Sequence, residues 1–187
     1  MQSNLNLNKE ISFESFKEQV LNDYKLITLS REASLLGRRE VLSGKAKFGI
    51  FGDGKELPQI ALAKVFQNGD FRSGYYRDQT FMMAINELSP KQLFSGLYAN
   101  TDINEEPMSA GRQMGAHFNT ASLNDDGSWK DLINQKNSSS DVSCTGSQMP
   151  RLLGLAQASK LYRKLKTENS KKFSINGNEI AWGTIGN

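Results

Sequence analysis

The chain holds a single cysteine, Cys144, in 187 residues. No disulfide can form within it, and the composition points to a reducing, cytoplasmic setting. It also holds a single histidine, His117. With no second histidine or acidic cluster beside it, a His- or Cys-based metal centre is not expected. No apolar run approaches the length of a membrane span, so no membrane association is expected. Met1–Glu10 lacks a basic segment followed by an apolar one, so no signal peptide is read there. Charge of one sign is also missing: 23 cationic residues are scattered among 20 acidic ones, for a net charge of +3. A nucleic-acid binder would gather its cations on one face, and none is expected as a partner. There is no internal repeat. Gly52-Asp53-Gly54-Lys55 lacks the leading glycine and the Lys-Ser/Thr ending of a phosphate loop, and reads as a turn before a helix.

What is present is a globular balance, 37% hydrophobic and 23% charged, enough for one domain with a core. A polar, Asn-rich leader is expected over 1–11, and one domain over 12–187. Phe13, Phe16, Val20, Tyr24 and Ile27 recur at helical spacing. They predict a helix capped at Ser12 or Ser15, running to about Leu36 and loosened at Gly37. A second helix is expected around Pro58, Ile60 and Val65. An extended segment follows over Phe71–Tyr76, then a third helix from about Asp78 to Glu87. Ser89-Pro90-Lys91-Gln92 signals a capping box for a fourth helix. Residues 101–146 read as a long loop region, most polar at Asn137–Asp141. A helix from about Gln148 to Lys166 should pack Leu152, Leu155, Ala156 and Ala158. Asn176-Gly177 between two apolar stretches signals a hairpin. The fold class is α/β, helix-rich with few strands.

Three segments could carry chemistry. Tyr75-Tyr76-Arg77-Asp78 ends the extended segment and opens a helix, where a guanidinium beside free N–H groups clamps phosphate well. A surface ion pair between Arg77 and Asp78 is the competing reading, and spacing alone favours it. The segment 111–118, Gly-Arg-Gln-Met-Gly-Ala-His-Phe, contains His117, and a lone histidine is more often structural than catalytic. Ser143-Cys144-Thr145-Gly146-Ser147-Gln148 precedes an apolar helix and lets a ligand approach the backbone closely. Ordinary capping by Ser147 explains that segment equally well. Cys144 has no basic neighbour in sequence to activate it and is not read as a nucleophile.

Taken together and in order, the Tyr-Tyr-Arg block at 75–77, the Gly-Arg-Gln-Met-x-x-His block at 111–117 and the Ser-Gln-Met-Pro block at 147–150 resemble one family. It is the alpha subunit, or alpha region of a fused chain, of thiamine-diphosphate-dependent 2-oxoacid dehydrogenases of the branched-chain and pyruvate type. The similarity runs from about Ser15 to the end. It implies the N-terminal part of a thiamine-diphosphate-binding fold with a few parallel strands, cut short inside its magnesium motif.

The resemblance further implies that Tyr75, Tyr76 and Arg77 meet the cofactor diphosphate, and that Ser143 and Thr145 lie beside its aminopyrimidine ring. Gly186 and Asn187 would stand at the magnesium motif after a buried strand over 180–185, with Asn187 a weaker ligand in place of the usual acid. Ser147 and Gln148 would hold a potassium ion, although Val142 stands where a hydroxyl ligand is usual. His117 falls in a loop near the active-site channel and is the candidate catalytic residue. Implied partners are a beta subunit or half carrying the activating glutamate, a lipoyl acyltransferase component, and a 2-oxoacid substrate. The parent would be an oxidoreductase passing the acyl group to lipoamide, and these 187 residues alone would be inactive. An acetoin-type or transketolase-like thiamine-diphosphate enzyme is the alternative within that chemistry, and a helical binding module using Arg77 and Arg112 the alternative outside it.

Overall fold

Ser12 starts the first helix. Its backbone is extended, and its side chain accepts a hydrogen bond from the Ser15 amide at 3.2 Å. In the computed structural model, which describes residues 11–185, α1 then runs over Phe13–Leu42. It passes straight through Gly37. The glycine packs instead of loosening: a β-carbon there would overlap the ring of Phe51, so the bare helix surface lets the 48–52 segment lie against it. The leader expected over 1–11 falls, apart from Ile11, outside the described residues.

Helix α2 spans Glu56–Val65, and α3 spans Gln79–Ala84, shorter than expected at both ends. Asn86, in the left-handed region at φ 64°, turns the chain away from α3. Helix α4, Pro90–Leu97, opens with the capping box expected of Ser89 and Gln92: each side chain bonds the other's backbone amide. Phe81, Met82 and Phe118 are fully buried in a core with Ala33, Ala63, Leu88 and Leu93.

Three two-residue strands form a parallel sheet in the order β2-β1-β3. They are β1 (Phe71–Arg72), β2 (Asn137–Ser138) and β3 (Ala181–Trp182). Phe71 pairs with Asn137 on one side and Ala181 on the other. Trp182 meets Phe81 and Phe66 edge to face at 4.8 and 5.9 Å, which seats β3 on the core. The architecture is mixed α/β, helix-rich with a small parallel sheet. Among the described residues no helix is long and apolar enough to cross a membrane.

Three further sequence expectations change. Asn137–Asp141, expected as the most polar loop, contains the edge strand β2, with Asn137, Ser138 and Asp141 buried. Its polar groups are satisfied internally: Asn137 Nδ2 donates to the Leu132 and Asp70 carbonyls at 2.7 and 3.2 Å. The hairpin at Asn176-Gly177 does not form. Phe173 stacks on Tyr162 at 4.3 Å, while the Ile180 amide is captured by the Asp70 carboxylate at 2.8 Å, so the second arm joins β1 in parallel. Helix α5, Gln148–Leu165, buries only Gln148; Leu152, Leu155 and Ala158 are half-buried and Ala156 is exposed.

Candidate functional site at the ends of three parallel strands

Parallel strands deliver their loops on one edge of a sheet, and ligands in such folds bind outside the carboxyl ends of the strands. Here the chain leaves β1 at Ser73, β2 at Ser139 and β3 at Gly183. The segments singled out in the sequence at 75–77 and at 143–148 follow two of these exits.

One side chain ties the exits together. Arg72, the last residue of β1, is fully buried. Its Nε and Nη2 donate to Asp78 Oδ2 at 3.0 and 2.8 Å. Nη1 and Nη2 reach the two oxygens of Asp141, both at 3.1 Å. Nη1 also donates to Ser138 Oγ at 2.6 Å, and Nη2 to the Tyr75 carbonyl at 3.1 Å. A planar fork with five donors is the only side chain that can serve this many acceptors at once. Burial works against the charge of Arg72, but Asp141 and Asp78 outweigh it and hold its pKa above the ordinary value. Burial pushes the Asp141 carboxyl up, against the opposing pull of Arg72 and of the Phe118 amide. Asp78 Oδ1 is buried without a partner among the described residues.

The described segments around 75–77, 111–118 and 143–148 adjoin this cluster. Tyr75 donates its amide to Asp78 Oδ2 at 3.3 Å, and burial followed by the Asp78 charge raises its phenol pKa. The Tyr75 and Tyr76 rings meet edge to face at 5.1 Å, and the Arg77 guanidinium lies 5.6 Å from the Tyr76 ring centre. Arg77 is half-buried, and its carbonyl accepts from Gln59 Nε2 at 2.8 Å. Asp78, considered above as a partner for Arg77, pairs with the buried Arg72 at 2.8 Å. Gly52 backs the Arg77 carbonyl so closely that a β-carbon would overlap it, so the glycine-rich turn is the floor under residue 77.

The block at 111–118 enters through Phe118, whose amide donates to Asp141 Oδ2 at 3.1 Å. Next to it, His117 is buried, with Nε2 at 2.9 Å from Ser143 Oγ and Nδ1 at 3.4 Å from the Gly115 carbonyl. His117 and Ser143 therefore stand in direct contact. Ser143, Cys144 and Thr145 are exposed in front of α5. Ser147 makes no side-chain capping bond, so capping does not explain its presence. Gln148 is buried; its carbonyl accepts from Ser73 Oγ at 3.0 Å and its Nε2 donates to the Thr184 carbonyl at 2.8 Å. Thr184 Oγ1 in turn donates to Asp78 Oδ2 at 2.5 Å. That closes the circuit from β3 back to residue 78.

Arg112 is not drawn in and lies exposed. Gly186 and Asn187 lie outside the described residues. Among those described, no group of three or more His, Cys, Asp or Glu is placed to hold a metal ion. For potassium, Ser147 and Val142 are half-buried and Gln148 already spends its carbonyl and amide nitrogen on Ser73 and Thr184.

Sequence reasoning missed Arg72, Asp141, Thr184 and Glu106. The last accepts from the amides of Met108, Ser109 and Gly111 and from Ser109 Oγ, at 2.6 to 3.0 Å. It thereby folds the turn that precedes Arg112. The signal available was Asp or Glu followed two to five residues on by Ser and Gly, which is common to many turns. No protein-family model matches the chain, and no curated protein matches it.

Proposed function

We propose that this chain is the alpha-type, diphosphate-binding region of a thiamine-diphosphate-dependent 2-oxoacid dehydrogenase, acting on a branched-chain 2-oxoacid or pyruvate together with a beta half and a lipoyl acyltransferase. The observation that carries the reading is the Arg72 cluster. Asp78, one residue after Arg77, and Asp141, two before Ser143, hold the same guanidinium, at 2.8 and 3.1 Å from Nη2. Two segments far apart in sequence are thereby brought to one edge of the sheet.

The donor set suits a diphosphate. Arg77 offers a fixed fork to a doubly charged group, braced by the Tyr76 ring. The Gly146 amide stands just ahead of the 18-residue helix α5, whose dipole favours an anion, while the Ser147 amide closes the turn onto the Cys144 carbonyl at 3.1 Å. Ser143 and Thr145 carry exposed hydroxyls beside that helix end and would orient the rest of the cofactor. When bound, thiamine diphosphate supplies the nucleophilic carbon and the electron sink for decarboxylation. This chain's part is to hold the diphosphate, fix its direction and keep His117 beside Ser143 at the edge of the site. Magnesium in this reading belongs to Gly186 and Asn187, and potassium to Ser147 and Gln148.

The test is a titration of the full chain with pyrophosphate and then with thiamine diphosphate and magnesium, followed by amide chemical shifts. The expected changes concentrate at 75–77 and 143–147, with affinity weakened about tenfold or more by Arg77→Lys, which keeps the charge but loses the fork. Shift changes that spare both segments, or that survive Arg77→Ala unaltered, would defeat the reading.

A further inference from the structure

A second cleft, of about 330 Å³, lies between the start of α4, the 107–108 turn and the segments 119–121 and 130–135. None of the residues discussed above as cofactor contacts lines it. Its walls carry charges of both signs. Glu87 and Lys130 both line it, and Lys130, followed by Lys136 from outside the lining, attracts the Glu87 carboxylate. No ion pair or hydrogen bond engages either charged group among the described residues. Glu87 is half-buried with no donor on its carboxylate among the described residues, and burial raises its pKa.

The neutral groups of the cleft are held in place by their other ends. Asn119 Nδ2 donates to the Met108 carbonyl at 2.9 Å. Gln135 Nε2 donates to Asn137 Oδ1 at 2.9 Å, and Gln92 Oε1 accepts from the Ser89 amide at 2.8 Å. Thr120 is pinned to Ser138 of β2, whose amide donates to its hydroxyl at 2.8 Å. Asn119 Oδ1, Gln135 Oε1 and Gln92 Nε2 are left without protein partners among the described residues. The cleft is therefore lined by fixed acceptors, a fixed donor and two charges of opposite sign that make no ion pair, a preorganised polar site.

We propose that this cleft binds a small zwitterion of the α-amino-acid class, with its ammonium on Glu87 and its carboxylate on Lys130. A cation alone would leave the lysine unmatched, an anion would leave the glutamate unmatched, and a neutral solute would answer neither. One molecule carrying both charges satisfies both with charge-assisted hydrogen bonds.

The full chain is titrated with L-alanine, L-leucine and L-glutamine, and in parallel with acetate, methylammonium and glycerol, reading amide shifts at Glu87, Asn119, Thr120 and Lys130. Saturable binding of an amino acid is expected, about tenfold or more tighter than any single-charge or neutral probe. Glu87→Gln and Lys130→Met should each remove about tenfold or more of that affinity. Neither variant should lower the melting temperature, because neither charged group bonds to protein. Three outcomes would each overturn the assignment: no saturable shift with any amino acid, equal binding of glycerol, or undiminished binding in both variants. Pyrophosphate binding at 75–77 is read in the same spectra, so loss of one site is distinguishable from loss of the other.

Discussion

The guanidinium of Arg72 occupies the space that a side chain at Gly74 would need: a β-carbon there would overlap Nε, Cζ and Nη2. The two residues are one device. The glycine removes its side chain so that the chain leaving β1 can fold back over the arginine that bonds the Tyr75 carbonyl.

Gly74→Ala is therefore expected to destabilise the protein by about 2–3 kcal/mol, the usual cost of forcing an added methyl into filled space. The urea midpoint checks this. A variant as stable as the parent would show that the loop can move off the guanidinium.

Arg72→Met should cost about 3–5 kcal/mol, because it leaves Asp78 and Asp141 buried without their shared cation. Arg72→Lys should recover little of it, since one ammonium cannot reach both carboxylates, Ser138 and the Tyr75 carbonyl together. Adding Asp141→Asn to Arg72→Met should return part of the loss. A double-mutant cycle by urea unfolding measures the coupling.

Acid should weaken the protein through Glu106 and Glu56. Burial opposes the Glu106 charge, but Ser109 and the amides of Gly111, Met108 and Ser109 outweigh it and hold its pKa below the ordinary 4.5. Glu56 is held down by bidentate Arg31, at 2.6 and 2.9 Å. A depressed carboxyl contributes stability that is fully present above its unfolded value and is lost as pH falls through the folded one. Stability is thus expected to hold above about pH 5 and to decline below the ordinary carboxyl value, with a shallower decline in Glu106→Gln. Urea midpoints from pH 7 down to pH 3 check the slope.

Cys144, exposed between Ser143 and Thr145, serves as a reporter. A thiol reagent should modify it in the folded protein. Thiamine diphosphate with magnesium should slow the reaction severalfold if the cofactor lies against 143–145, and leave it unchanged in Arg77→Ala. Equal rates with and without cofactor would count against a site there.

Local chemistry was legible in the sequence, and distant chemistry was not. Ser89 and Gln92 announce their helix because the bonds that start it span three residues. Gly37 misleads because its purpose is Phe51, a loop residue that helix statistics do not see. Asn137-Ser138 has no apolar pattern to mark a strand; it is one because Arg72, 66 residues earlier, fills its hydrogen bonds. In the site, the residues fronting the sheet edge stand out as Tyr-Tyr-Arg and as small hydroxyls before a helix. The residues behind them, Arg72, Asp141 and Thr184, read in sequence as ordinary solvated side chains, since polar groups are normally hydrated and only the fold supplies their buried partners.

The middle strand of the sheet is the first of the three to be synthesised and the last to be completed. Phe71 must wait for Asn137 on one flank and Ala181 on the other, and its neighbour Asp70 takes the amide of Ile180 across 110 positions. Helices α1 to α4 can assemble from nearby contacts as they leave the ribosome, whereas the sheet forms only once nearly the whole stretch to Trp182 has emerged. Translation pauses late in the message would prolong a nascent chain with a bare strand at its centre, the interval in which aggregation and chaperone capture compete with folding.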